Sequence, residues 1–132
     1  MFNKVDHIAI VVRDTEEALS FYRDTMKLPL KVSEEVPDVG VRLTHLDMGN
    51  VDLQLVEPLS PEHPLSKYLD EHGEGLHHIC WKMPDVGEAV DKLESYGLKP
   101  RSTQLHSGVC GKKAAFVDPS CTRNVLWEMT SD

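Results

Sequence analysis

The sequence predicts an α+β fold made of two β-α-β-β-β modules in tandem, forming a single domain over residues 1–132. Three observations carry this. The chain repeats itself at an offset of 71, so that His7 matches His78, Ile8 matches Ile79, Asp14 matches Asp85, Glu17 matches Glu88 and Ala18 matches Ala89. Each copy contains Asp-x-x-Glu, Asp14 with Glu17 and Asp85 with Glu88, the pattern of a capping box that starts a helix after a strand. Behind each such helix come three stretches with strand-like patterning. The modules cover about 1–57 and 76–132, with 58–75 as the linker.

In chain order, residues 6–12 read as the first strand. The first helix is expected from about Thr15 to Lys27, with Ala18, Phe21, Tyr22, Thr25 and Met26 as its apolar stripe. Strands follow over Leu30–Glu34, Val41–Met48 and Val51–Val56, the last two joined by a hairpin turn at Gly49-Asn50. The linker holds a turn at Ser60-Pro61-Glu62 and a short helix over Leu65–His72, ended by Gly73. In the second module, His78–Met83 is the strand and Val86–Tyr96 the helix, with Ala89, Val90, Leu93 and Tyr96 as its stripe and Gly97 as its C-cap. Its remaining strands are Lys99–Gln104, Lys113–Val117 and Asn124–Met129.

Composition sets the outer limits. Hydrophobic residues make up 40% and charged residues 27% of 132 residues, ordinary for a folded domain. A chain of this length buries roughly two-thirds of the surface exposed on unfolding, enough for a core without staples. Fourteen basic residues against 22 acidic ones leave a net charge of −8, which argues against a nucleic-acid partner. No apolar run approaches the roughly 20 residues of a membrane span. Cys80, Cys110 and Cys121 form neither a disulfide framework nor a CxxC zinc site. The N-terminus runs straight into a strand with no signal-peptide pattern, so a cytoplasmic location is the expectation.

Strand parity separates two faces. Ile8, Ile10 and Val12 point one way, as do Ile79, Trp81 and Met83, Leu53 and Leu55, and Val125, Trp127 and Met129; these apolar faces are expected to pack beneath the helices. His7, Gln54, His78 and Glu128 project from the opposite face, with each module offering one His on its first strand and one amide or carboxylate on its last. Such a face can simply be wet. Two imidazoles and two oxygen donors also make an N₂O₂ set suited to a divalent first-row metal. Parity sends His77 toward the apolar face or the strand edge, which favours His78 as the donor.

Asp6-His7-Ile8-Ala9-Ile10, Leu53-Gln54-Leu55-Val56-Glu57-Pro58-Leu59, Gly73-Glu74-Gly75-Leu76-His77-His78-Ile79, Gly111-Lys112-Lys113-Ala114-Ala115-Phe116-Val117-Asp118-Pro119 and Val125-Leu126-Trp127-Glu128 together resemble the vicinal oxygen chelate superfamily, which includes glyoxalase I, extradiol dioxygenases and bleomycin-resistance proteins. The chain is most similar to the methylmalonyl-CoA epimerase branch. The resemblance implies paired modules whose curled mixed sheets enclose one divalent metal (Co, Zn, Mn, Ni or Mg), with His7, Gln54, His78 and Glu128 as ligands. It also implies a homodimer and an acyl-CoA thioester as substrate. The implied reaction removes and returns the α-proton of methylmalonyl-CoA, or of a related 2-substituted acyl-CoA, through a metal-stabilised enolate. The alternatives are a glyoxalase I-type lactoylglutathione lyase and a metal-free binding or resistance protein.

The sequence departs from that branch in two places. Some epimerases carry a glutamate base after a Gly-Val pair; the matching position here is Leu43. His45 lies one pleat further along the same face and is a candidate base, as is Glu128. The approach Cys121-Thr122-Arg123-Asn124-Val125 lacks the expected glycines. Arg101, Lys112, Lys113 and Arg123 are candidates for a coenzyme A phosphate. Ser107–Gly111 reads as a flexible loop beside the site. Cys80 shares a face with His78 and reads as a small space-filler.

Overall fold

The computed structural model describes residues 1–132. Eight strands and three α-helices follow one another along the chain. The first half contains β1 (Val5–Val11), α1 (Thr15–Leu19) continued by a π-helical turn (Ser20–Thr25), β2 (Leu30–Val36), β3 (Val41–Asp47), β4 (Asp52–Pro58) and α2 (Pro64–His72). The second half contains β5 (Gly75–Lys82), α3 (Val86–Lys92) continued by a 3₁₀ turn (Leu93–Tyr96), β6 (His106–Ser107), β7 (Lys113–Phe116) and β8 (Trp127–Ser131). Neighbouring strands run β1-β4-β3-β2 in the first half and β5-β8-β7-β6 in the second, so the repeat in sequence is a repeat in topology. No helix is long and apolar enough to cross a membrane.

By packing, the chain divides into two compact units, Ile8–His77 and Met1–His7 with His78–Asp132. The N-terminal residues therefore belong with the second half. The Lys82 amide donates to the Lys4 carbonyl at 2.8 Å, and Phe2 sets its ring edge against Trp81. This anchoring carries His7 into the unit that contains β5 and β8.

Within Ile8–His77, β3 pairs antiparallel with both β2 and β4. Val12, Leu19, Leu46, Leu53 and Leu55 form its buried core. The Asp14 carboxylate accepts the Glu17 amide and caps α1, as its spacing predicts. The expected thirteen-residue helix is shorter in its α form. After Leu19 the backbone widens, and the Met26 amide donates to Phe21, five residues back. The wider turn changes the angular step per residue, so Phe21 and Met26 leave the stripe and stand exposed, while Leu19, which the expected stripe omits, is buried.

In the other unit, β5 pairs parallel with β8, and β7 pairs antiparallel with β8 and β6. Asp85 caps α3 through the Glu88 amide. The helix stripe Val86, Ala89 and Leu93 packs on Met83, Ala115, Val117 and Met129. Tyr96 is exposed, contrary to its place in the expected stripe, because the final turn is 3₁₀ and shifts it off that line. Gly97 ends the turn at φ +73, the left-handed cap expected of it.

Two strand expectations need correction. Lys99–Gln104 makes only an isolated bridge, Pro100 to Val117. Pro100 cannot donate to a ladder, and the Ser102 hydroxyl accepts the Gln104 amide in a local turn instead. The last strand starts at Trp127 rather than Asn124, because Arg123 and Asn124 sit at φ +57 and +68, outside strand conformation.

The Leu93 side chain is fully buried at the centre of its core. Leu93→Ala is expected to lower unfolding free energy by about 2–5 kcal/mol, read as a reduced midpoint in urea. Tyr96→Ala, at an exposed position, should shift the midpoint far less.

Candidate metal centre

Strand register assembles the site. Glu128 on β8 lies opposite Cys80 on β5 and opposite Phe116 on β7. His78 precedes Cys80 by two residues on the same face of β5, and His7 lies in β1. His7 Nε2 is 3.3 Å and His78 Nε2 is 3.1 Å from the same Glu128 oxygen, Oε1. The two imidazole planes meet at 73° with centroids 5.7 Å apart, so they converge on that oxygen rather than stack. All three side chains are buried, with exposures of 4–8%. A wet sheet face does not describe them.

A fourth residue joins them that the sequence reading does not single out. His106 on β6 donates from Nε2 to Glu128 Oε2 at 2.8 Å. Its ring stacks on Phe116 at 5.1 Å and 17°, and the edge of His78 meets the same phenyl ring. The expected strand over Lys99–Gln104 ends two residues short of His106. Had the strand been placed on His106–Ser107, opposite Ala114 and Lys113, parity would have set His106 beside the site.

The electrostatics favour positive charge here. Asp6 accepts a hydrogen bond from His7 Nδ1 at 2.8 Å, which turns Nε2 toward Glu128. Burial works against a charge on His7, but Asp6 and Glu128 outweigh it and raise the pKa to about 9. Burial likewise works against the Glu128 carboxylate, yet His78, His106 and His7 hold it well below the ordinary range. The Cys80 thiol is pushed far up, by burial first and then by Glu128 and Asp6, so it is protonated near neutral pH unless a cation binds beside it.

The donor set fits a small divalent ion. Ligand bonds of about 2.0–2.2 Å place adjacent donor atoms roughly 3–3.5 Å apart, the spacing of both imidazole nitrogens from Oε1. The carboxylate beyond His7 is the usual support for a metal-bound imidazole. His7, Cys80 and Glu128 offer possible ligand atoms within 4.8 Å of one another.

Gln54, His45 and Leu43 lie in the Ile8–His77 unit, the first two in a second polar network. Gln54 faces His45 across β3 and β4. Lys31 donates to both Asp52 oxygens at 2.9 and 3.0 Å, and His45 Nδ1 donates to Asp52 at 3.0 Å. His45 Nε2 then accepts from the Gln54 amide nitrogen at 3.0 Å. This order leaves Gln54 Oε1 as the atom the amide offers to a cation. Burial works against the Asp52 charge, but Lys31 and His45 outweigh it and lower the pKa. His45 is 4% exposed, not a wet strand histidine, and Leu43 is a buried apolar residue opposite Val56.

The remaining candidates separate. His77 sets its ring against Tyr68, and His78 is the histidine that meets Glu128. Lys112 lies 3.7 Å from Asp6 and Arg101 sits over Phe116, whereas Lys113 and Arg123 are exposed. In the Ser107–Gly111 segment, Ser107 ends β6 and Val109–Gly111 forms a 3₁₀ turn.

Known proteins share the sequence pattern and the fold of this chain. The family model of the glyoxalase/bleomycin resistance protein/dioxygenase superfamily matches residues 6–116. Protein YqjC of Bacillus subtilis, itself uncharacterized, is 33% identical over 127 residues, 96% of this chain and 91% of the relative. The ethylmalonyl-CoA/methylmalonyl-CoA epimerase of Cereibacter sphaeroides is 30% identical over 131 residues, 98% of each chain. Among solved structures, a variant of Streptomyces coelicolor methylmalonyl-CoA epimerase in complex with 2-nitronate-propionyl-CoA superposes with a TM-score of 0.90 at 29% identity, covering 100% of this chain and 96% of the other.

The Asp52 network sets a pH dependence. A carboxylate whose folded pKa is lowered stabilises the fold above its ordinary value of 3.8 and loses that contribution as pH falls through the folded pKa. Asp52→Asn should therefore melt below wild type at pH 6, with the gap closing as pH falls below 3.8. Thermal melts across pH 3–7 measure this; a gap independent of pH would contradict it.

Proposed function

Because the chain belongs to the glyoxalase/bleomycin resistance protein/dioxygenase superfamily, we propose that it is a metal-dependent epimerase of methylmalonyl-CoA or a related 2-substituted acyl-CoA. The observation that carries this reading is the convergence of His7 and His78 on one oxygen of Glu128, in a chain that matches epimerases along its whole length. His7, His78 and Glu128 would hold the ion. Gln54 is the fourth ligand on the strength of the family pattern alone. A homodimer is the working form on the same ground.

A bound divalent ion supplies Lewis-acid stabilisation of the negative charge that develops when the α-proton leaves. The chain supplies the rest. Asp6 orients His7, and His106 orients Glu128. His45 is the proton acceptor in this reading. Its Nδ1–H is held by Asp52, so the basic lone pair is on Nε2, and the Asp52 charge stabilises the imidazolium formed when a proton arrives. The Gln54 amide must release Nε2 for that transfer. Glu128, held as a carboxylate, is the second proton-transfer candidate. Leu43 contributes no acid–base chemistry.

That last feature favours a second reading. A glyoxalase I-type lyase uses related ligands, and Leu43 replaces a base found in some epimerases.

In D₂O the enzyme should place deuterium at the α-position of methylmalonyl-CoA. Glu128→Gln should abolish this exchange. His45→Gln should slow turnover at least about 10²-fold with KM little changed; full activity would remove His45 from the mechanism. No exchange, with isomerisation of a methylglyoxal hemithioacetal, would establish the lyase instead.

Metal removal gives an independent test. A ligand that binds only the folded chain adds about 2.7 kcal/mol at a hundredfold excess over Kd. EDTA should lower the melting temperature of metal-loaded wild type and leave the His7→Ala, His78→Ala double variant unchanged. Identical wild-type curves with and without EDTA would contradict metal binding.

A further inference from the structure

The carboxylate of Glu128 divides its two oxygens. Oε1 faces the nitrogens of His7 and His78, and Oε2 accepts from His106 at 2.8 Å. His106 is itself fixed. It stands on β6 opposite Ala114 of β7, and its ring lies flat on Phe116, the β7 residue directly opposite Glu128. The same phenyl ring meets the edge of His78 at 5.1 Å. One aromatic side chain thus braces both a candidate ligand and the residue that holds another.

We propose that His106 is a positioning residue that fixes Glu128 as a one-oxygen ligand, keeping Oε2 out of the metal's coordination shell. A carboxylate left to itself coordinates hard divalent ions through one or both oxygens. A hydrogen bond from a donor anchored elsewhere occupies the second oxygen and leaves coordination positions for substrate atoms. An open position is what separates a catalytic metal site from a closed structural one. The proposal rests on the metal-dependent reading of the same centre, and its test separates the two.

The experiment titrates CoCl₂ into chelator-stripped wild type, His106→Phe and His106→Gln, following affinity by calorimetry and coordination by visible absorption. His106→Phe keeps an aromatic ring on Phe116 and removes the donor. His106→Gln restores an N–H near the position of Nε2. Melting curves in EDTA give the stability of each metal-free chain, so a fold defect is read separately. The expected result is Co²⁺ binding by wild type, affinity at least about tenfold weaker in His106→Phe with a changed Co²⁺ spectrum, and recovery of both in His106→Gln. Wild-type affinity and spectrum in His106→Phe would overturn the positioning role while leaving the metal site intact. A His106→Gln variant no better than His106→Phe would also overturn it. Failure of wild type to bind Co²⁺ would remove the metal reading and the role of His106 together.

Discussion

The structure depends on one buried negative charge. Glu128 is 6% exposed, and an isolated carboxylate removed from water is strongly unfavourable unless paired and hydrogen-bonded. Three imidazoles from three other strands surround it, and each is placed by ordinary backbone geometry. β5 brings His78, β6 brings His106, and the N-terminal anchoring of Lys4 to Lys82 brings β1 and His7. A cation at this centre relieves the same electrostatic demand that raises the His7 pKa. Proton and metal therefore compete for His7, and metal affinity should increase with pH.

The molecule uses one device twice. Asp6 grips His7 through Nδ1, and Asp52 grips His45 through Nδ1. In each case the carboxylate sets the tautomer and leaves Nε2 as the working atom. The consequences differ with the neighbours. His7 points at a carboxylate that shares it with a metal in the proposed function. His45 points at the Gln54 amide, so the base and the amide are coupled through one hydrogen bond. In the proposed function this arrangement gives the chain a proton acceptor two residues along β3 from Leu43.

Much of this was legible in the sequence because it follows short-range rules. The offset repeat and the Asp-x-x-Glu caps located two strand–helix units, and the caps hold in the structure as read. Strand parity set His7, His78 and Glu128 on one face without coordinates. The misreadings have particular causes. Helical periodicity cannot register the π-helical turn after Leu19, which moves Phe21 and Met26 off the stripe. Pro100 and a Ser102 turn ended a strand pattern that propensity alone favoured. His106 was missed because β6 has only two residues, too few to show an alternation. Its role comes from a partner 22 residues away in the sequence, which local patterning does not encode.

In the proposed centre, two histidines and one glutamate oxygen bind a single divalent ion. X-ray absorption at the metal edge of zinc-loaded protein tests it directly, because the first shell reports donor types as well as distances. Nitrogen and oxygen donors at about 2.0–2.2 Å, with the outer scattering pattern of two imidazole rings, are the expected result. A sulfur shell at about 2.3 Å would put Cys80 in the coordination sphere, and a shell without imidazole scattering would place the ion elsewhere; either result would contradict the account.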